Sequence, residues 1–178
     1  MFHRIYLIGM PGCGKTSTGK KLAKHLNWQF IDLDSRLIDQ TGKSIAELFE
    51  TIGEPAFRKI EQHVLYSCLP QEPSIIACGG GTPAYEENMS FINNNGLSIY
   101  LKANERFLWD RLSAKNQDRP LFKGLSESDI KIKIAKLLSD RCKYYEQAKL
   151  QIALPYSDIN TLVNNILELN NEKENNTI

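Results

Sequence analysis

The sequence predicts an α/β fold built on a parallel sheet with helices on both faces. Two observations predict it. Short apolar runs alternate with longer segments of helical periodicity along the whole chain. The first of these runs, Arg4 to Ile8, passes directly into a glycine-rich turn that opens a helix, and strands covered on both faces read as such short continuous apolar runs.

The elements follow in order. Arg4 to Ile8 is a buried strand bounded by Gly9. After the glycine turn a helix runs from about Lys15 to Leu26, with Leu22, Ala23 and Leu26 on one face. Gln29 to Leu33 is a second strand, and Ser35 to Gln40 a short helix that Gly42 is placed to end. Asp34 is a candidate cap for that helix. Ser44-Ile-Ala-Glu47 has the spacing of a capping box, so a helix starts there and runs to about Ile52; Glu54 to Leu69 is another. Ser74 to Ala77 is a short apolar strand leading into Gly79-Gly80-Gly81. Tyr85 to Asn94 is helical, Leu97 to Leu101 a strand, and Asn104 caps a helix from about Glu105 to Ala114. Residues 115–125 are polar, contain Pro120 and Gly124, and read as a mobile lid. Ser126 to about Ala148 is a long helix, Leu150 to Leu154 a last strand stopped by Pro155, and Asp158 to about Leu169 a closing helix. The polar stretch 170–178 is expected to fray. One domain spanning 1–178 accounts for the whole pattern.

Composition narrows the function classes. The chain is 178 residues long, 42% hydrophobic and 24% charged, which suits a globular core. A net charge of +1 gives no electrostatic case for a nucleic acid or a membrane surface as partner. No apolar run approaches the roughly 20 residues of a membrane span, and the N-terminal apolar stretch is too short for a signal peptide. The protein is therefore expected in the cytoplasm. Cys13, Cys68, Cys78 and Cys142 form no Cys-x-x-Cys pair and share no ligand spacing with His3, His25 or His63, so they read as reduced structural thiols.

The sharpest local signal is Gly9-Met-Pro-Gly-Cys-Gly14-Lys15-Thr16, which fits the Walker A pattern G-x-x-x-x-G-K-[ST]. Glycines let the backbone curl so that successive N–H groups point at phosphate oxygens. The helix that follows presents its positive end to the same anion. Lys15 then reaches the β- and γ-phosphates of a nucleotide, and the Thr16 hydroxyl suits Mg²⁺. Cys13 is a small side chain at a permissive position of this loop.

Further along, Asp32-Leu-Asp34 ends the second strand at the ligand edge of the sheet. One carboxylate can organise Mg²⁺ and its waters, and the other can accept a hydrogen bond from a substrate hydroxyl. Arg58, flanked by Phe57 and near Glu61, has the character of a held guanidinium, the planar fork that bonds a carboxylate through both nitrogens. Gly79, Gly80 and Gly81 after a buried strand imply close backbone approach to a ligand. Arg119, in Asp118-Arg119-Pro120-Leu121 of the lid, can fold over the phosphates. Arg141 lies four residues before Tyr145 on the long helix and offers a second anion contact. An Asn-Lys-x-Asp guanine motif is missing, which argues against a regulatory GTPase.

Together the P-loop, Asp32-x-Asp34, Phe49-x-x-x-Gly53-Glu54-x-x-Phe57-Arg58, the triple glycine, Arg119-Pro120-Leu121 and Arg141-x-x-x-Tyr145 resemble shikimate kinase, from about Arg4 to Leu169. The resemblance implies a P-loop kinase of the nucleoside-monophosphate-kinase type, with a five-stranded parallel sheet. It implies transfer of the γ-phosphate of ATP to the 3-hydroxyl of shikimate. By the same resemblance Gly12, Cys13, Gly14, Lys15, Thr16 and Ser17 would bind ATP, with Arg111 near the adenine and Pro155 beyond it. Thr16 and Asp32 would serve Mg²⁺; Asp34 would hold the shikimate hydroxyls; Arg58 and Arg141 would clamp its carboxylate, with Gly79 to Gly81 shaping the pocket. Lys15, Asp34 and Arg119 would carry catalysis, and the protein would be a monomer. Cys78 stands where the family often has Thr or Ser, and no acidic residue ends the Ser74–Ala77 strand, which leaves Asp32 as the carboxylate near the metal. Two alternatives remain: a small kinase acting on gluconate or a nucleoside monophosphate, and a non-catalytic ATP-binding module.

Overall fold

Five parallel strands form one sheet in the order β2-β3-β1-β4-β5. The computed structural model describes residues 2–113, 122, 124–156 and 158–175, with side chains to residue 169. Strand β1 (Arg4–Ile8) lies at the centre, paired with β3 (Ser74–Ala77) on one side and β4 (Leu97–Lys102) on the other. Its residues Ile5 to Ile8 are fully buried, as a strand covered on both faces must be. Strands β2 (Gln29–Asp32) and β5 (Leu150–Ala153) form the edges.

The register decides where the site can be. Asp32 pairs with Ala77, and Ala77 pairs with Leu7. The carboxyl ends of β1, β2 and β3 therefore stop at one level, and the loops that leave them share one edge of the sheet. Neighbours of β1 lead away in opposite chain directions, so a crevice opens above it, where ligands of open α/β sheets bind.

Helices α1 (Lys15–Leu26), α2 (Leu33–Thr41), α3 (Ile45–Ser67), α4 (Asn88–Asn95), α5 (Glu105–Ser113), α6 (Glu127–Tyr145) and α7 (Ile159–Asn175) complete the described fold. Their starts follow local chemistry. Ser44 and Glu47 form the expected capping box. Asn104 Oδ1 accepts from the Phe107 amide at 2.8 Å, and Asp158 Oδ1 from the Thr161 amide at 2.8 Å. Ser126 caps α6 by accepting from the Asp129 amide. None of the described helices is long and apolar enough to cross a membrane.

The structure corrects several boundaries. Helix α2 starts two residues before Ser35, and its cap is Asp32, not Asp34: Asp32 Oδ1 accepts from the amides of Asp34 and Ser35. The segment after the triple glycine is a 3₁₀ turn over Thr82–Ala84, and α4 begins only at Asn88. Helix α6 ends at Tyr145, not near Ala148. Helix α7 continues through Asn175, into the stretch expected to fray. The two helices expected on either side of Gly53 are joined end to end across a kink there, with Gly53 at φ +73° and ψ 167°. That left-handed φ favours glycine, and the half of α3 beyond the kink carries Phe57, Arg58 and Glu61.

Candidate active site

The carboxyl edge opens into a cleft of about 1260 Å³. One end is the glycine turn. Gly9, Gly12 and Gly14 all have positive φ, which curls residues 9–14 around the start of α1. Space there is tight: a Cβ on Gly9 would lie 2.8 Å from the Leu101 carbonyl. Lys15 Nζ donates to the carbonyls of Gly9 at 2.8 Å and Met10 at 3.0 Å, so its charge is held over the turn. Arg111 on α5 reaches the same place. Its guanidinium lies over the Phe107 ring, 4.7 Å from the centroid, and its Nη1 would be 2.9 Å from a Cβ on Gly14.

Next to the turn, Thr16 Oγ1 donates to Asp32 Oδ2 at 2.8 Å. Asp32 thus uses one oxygen to cap α2 and the other to meet Thr16. The Thr16 hydroxyl and the Asp32 carboxylate are hard oxygen donors. They form the sparse set that suits Mg²⁺, which keeps most of its shell as water and phosphate oxygens. Among the described residues no cluster of three or more His, Cys, Asp or Glu could hold a metal alone.

Asp34 stands in the middle of the cleft. It is reachable by solvent, yet the cleft walls crowd its carboxylate. That desolvation, followed by the charges of Asp32 and Glu61, raises its pKa to about 6 against the opposing pull of Lys15 and Arg58. Asp34 Oδ1 would lie 3.2 Å from a Cβ on Gly79.

The far end of the cleft is built on the second half of α3. Arg58 is buried, and its Nη1 donates to Glu61 Oε2 at 2.8 Å. Its Nε and Nη2 donate to Glu54 Oε1 at 3.2 and 2.8 Å. Burial works against the charged guanidinium, but Glu61 and Glu54 outweigh it and raise the Arg58 pKa. The rings of Phe57 and Phe49 flank the guanidinium, 5.3 and 5.7 Å from its Cζ. Glu61 Oε1 accepts from Thr82 Oγ1 at 2.7 Å, and the Thr82 carbonyl accepts from Asn88 Nδ2 at 2.8 Å. The triple glycine closes this wall. A Cβ on Gly81 would sit 2.6 Å from Arg58 Cζ, and one on Gly80 would meet Pro11 at 2.6 Å.

Of the residues singled out in the sequence, Gly12, Gly14, Lys15, Thr16, Ser17, Asp32, Asp34, Arg58, Gly79, Gly80, Gly81 and Arg111 line this cleft. Three do not line it. Cys13 is buried beneath the turn, its amide donating to the Met10 carbonyl. Pro155 follows β5 through a cis peptide bond with Leu154, and its neighbour Tyr156 bonds Thr18 of α1 at 3.2 Å. Arg141 is buried at 8% exposure, and its Nη1 has no partner among the described residues. Arg119 and most of the lid lie outside the described residues. Thr82 and Asn88 carried no sequence signal, because a lone Thr or Asn is usually a turn residue; their role appears only through Glu61. Glu61 itself was legible as a neighbour of Arg58 three residues on, one face of the same helix.

Comparison with known proteins agrees with this arrangement. The family model for shikimate kinase matches residues 11–170. A shikimate kinase of Parabacteroides distasonis is 35% identical over 170 residues, covering 93% of this chain and 98% of the relative. One from Azobacteroides pseudotrichonymphae is 38% identical over 165 residues, covering 92% and 97%. Among solved structures, the shikimate kinase of Bacteroides thetaiotaomicron superposes with a TM-score of 0.87 at 34% identity, covering 95% of this chain and 98% of that one. The Acinetobacter baumannii shikimate kinase, solved in complex with shikimate, gives 0.84 at 30% identity, covering 96% and 93%. Matches of this extent, between chains of nearly equal length and the same P-loop kinase fold, establish that the chain belongs to the shikimate kinase family.

Proposed function

We propose that this cleft transfers the γ-phosphoryl group of ATP to the 3-hydroxyl of shikimate, giving ADP and shikimate 3-phosphate. The observation that carries the reading is the place of Asp34, between a phosphate-binding turn holding Lys15 and a buried, doubly paired Arg58. A hydroxylated carboxylic acid fits between those poles. Its carboxylate meets Arg58 and Arg141, and a ring hydroxyl meets Asp34.

Each residue then has a defined task. Amides of the turn from Gly12 to Ser17 and the N-terminus of α1 hold the phosphates. Lys15 stabilises the charge that spreads over the transferred group, and Arg119 joins it from the lid. Arg111 and Pro155 border the adenine. The hydroxyl oxygen attacks the γ-phosphorus in line as the bond to the β,γ-bridging oxygen breaks, and ADP departs. Asp34 orients the hydroxyl and takes its proton. A pKa of about 6 leaves Asp34 ionised at neutral pH yet basic enough for that proton. Thr16 and Asp32 would hold Mg²⁺, which supplies charge neutralisation at the phosphates. The enzyme works as a cytoplasmic monomer of one domain, without nucleic acid or membrane.

The test is ADP release from Mg-ATP with shikimate, gluconate and the nucleoside monophosphates as parallel acceptors. ADP formed with shikimate alone supports the reading. ADP formed only with another acceptor overturns the assignment of Asp34, Arg58 and Arg141. Binding of ATP without turnover on any acceptor makes the chain a binding module.

A further inference from the structure

Tyr145 closes α6 and is completely buried, with its ring 5.1 Å from that of Tyr100. Phenylalanine would fill that space equally well, so packing does not explain the hydroxyl. Its polar contacts do. The Tyr145 hydroxyl donates to the Gly80 carbonyl at 2.5 Å and lies 3.9 Å from Met10 Sδ in the phosphate turn. The Arg141 guanidinium, one helical turn earlier, lies beside the same oxygen. A phenol has one proton and two lone pairs. The proton goes to Gly80, which leaves a lone pair for Arg141. A buried guanidinium nitrogen needs an acceptor, and Arg141 Nη1 has none among the described residues.

We propose that Tyr145 is a positioning residue for the carboxylate of the acid substrate. Its hydroxyl joins Arg141 to the glycine wall at Gly80, orients the guanidinium, and leaves Nη1 to meet the carboxylate. The inference rests on the shikimate reading above. Tyr145 does not touch the reacting atoms; it acts through Arg141 and through the backbone that shapes the pocket.

Tyr145→Phe removes the hydroxyl and keeps the ring. Steady-state kinetics should show the shikimate KM raised about five- to tenfold, as for a lost hydrogen bond to a charged group, with kcat and the ATP KM within about twofold. Shikimate methyl ester, which has no carboxylate charge, should bind wild type and variant alike. A merely structural tyrosine would lower Tm without this split between acid and ester. An unchanged shikimate KM, or an equal loss for acid and ester, overturns the proposal. Wild-type turnover of shikimate alongside an unaffected variant removes this inference alone; a wild type inert toward shikimate removes the underlying reading with it. Should the variant not fold, wild type labelled with ¹³C at tyrosine Cζ decides. The Tyr145 resonance should move on adding shikimate and not its ester, and a resonance indifferent to both overturns the role.

Discussion

Arg58 and Glu61 meet at 2.8 Å inside the cleft wall, and both side chains are almost removed from solvent. Glu61 spends its other oxygen on Thr82, so its carboxylate is satisfied on both sides and cannot swing. Glu54, by contrast, is largely exposed and holds Arg58 from outside. The inner bond therefore decides where the guanidinium points. Glu61→Ala leaves a buried charge with one exposed partner and should cost about 3 kcal/mol of stability. Urea unfolding measures that, and shikimate affinity should fall in parallel while ATP affinity holds.

Lys15→Ala should reduce kcat by about a hundredfold to a thousandfold, because it removes a charge aimed at the transferred group. Single-turnover assays with saturating ATP separate that loss from weaker nucleotide binding. Turnover near the wild-type rate would exclude Lys15 from catalysis.

Asp34 has opposite effects on activity and stability. Its pKa is raised to about 6 in the fold, above the ordinary carboxylate range. The ionised form is therefore the strained one. Folding is penalised in full above that pH; the penalty fades as pH falls from there toward the unfolded value and is gone below it. Asp34→Asn should raise Tm at pH 8 and leave it near wild type at pH 4. In catalysis the ionised form is the useful one. Wild-type kcat/KM should rise with pH through about 6, and Asp34→Asn should lose that limb together with about a hundredfold in rate.

Asp32 serves two ends, capping α2 with one oxygen and meeting Thr16 with the other. Asp32→Asn keeps an acceptor for the cap and loses the charge. Its Tm should stay close to wild type, while the Mg²⁺ concentration for half-maximal rate should rise several-fold. Asp32→Ala should in addition lose about 1 kcal/mol of stability with the cap. A magnesium titration of both variants separates the two roles, and excess chelator should stop turnover in all of them.

Gly81→Ala tests the wall. The new methyl would enter the space of the Arg58 guanidinium, which Glu61 and Phe57 prevent from yielding. The shikimate KM should rise by about tenfold or more, with the ATP KM unaffected. A variant with unchanged shikimate affinity would show that Arg58 can move and still bind.

What was legible in the residues is what local physics controls. The phosphate turn depends on glycines at three positions and on a Lys-Thr pair at the head of a helix, all within eight residues. Ser44, Asn104, Ser126 and Asp158 announce helix starts by satisfying nearby amides. Arg58 and Glu61 are neighbours on any helix that contains them. The roles within Asp32-Leu-Asp34 were less legible. Either carboxylate could cap α2, and the start of the helix at Leu33, two residues earlier, gave the cap to Asp32 and left Asp34 free in the cleft.

The sequence by itself determined the alternation of strand and helix, the phosphate turn and the set of residues able to bind an acid and a nucleotide. Only the tertiary structure decided which of them meet. Strand order β2-β3-β1-β4-β5 places Asp32 level with the end of β1, although β3 separates them in the sheet. Thr82 finds Glu61 across 21 residues, and Tyr145 finds Gly80 across 65. Contacts of that range depend on register and crossover packing, which no local pattern carries. Short-range hydrogen bonding writes its partners into neighbouring residues; long-range packing chooses them only when the sheet closes.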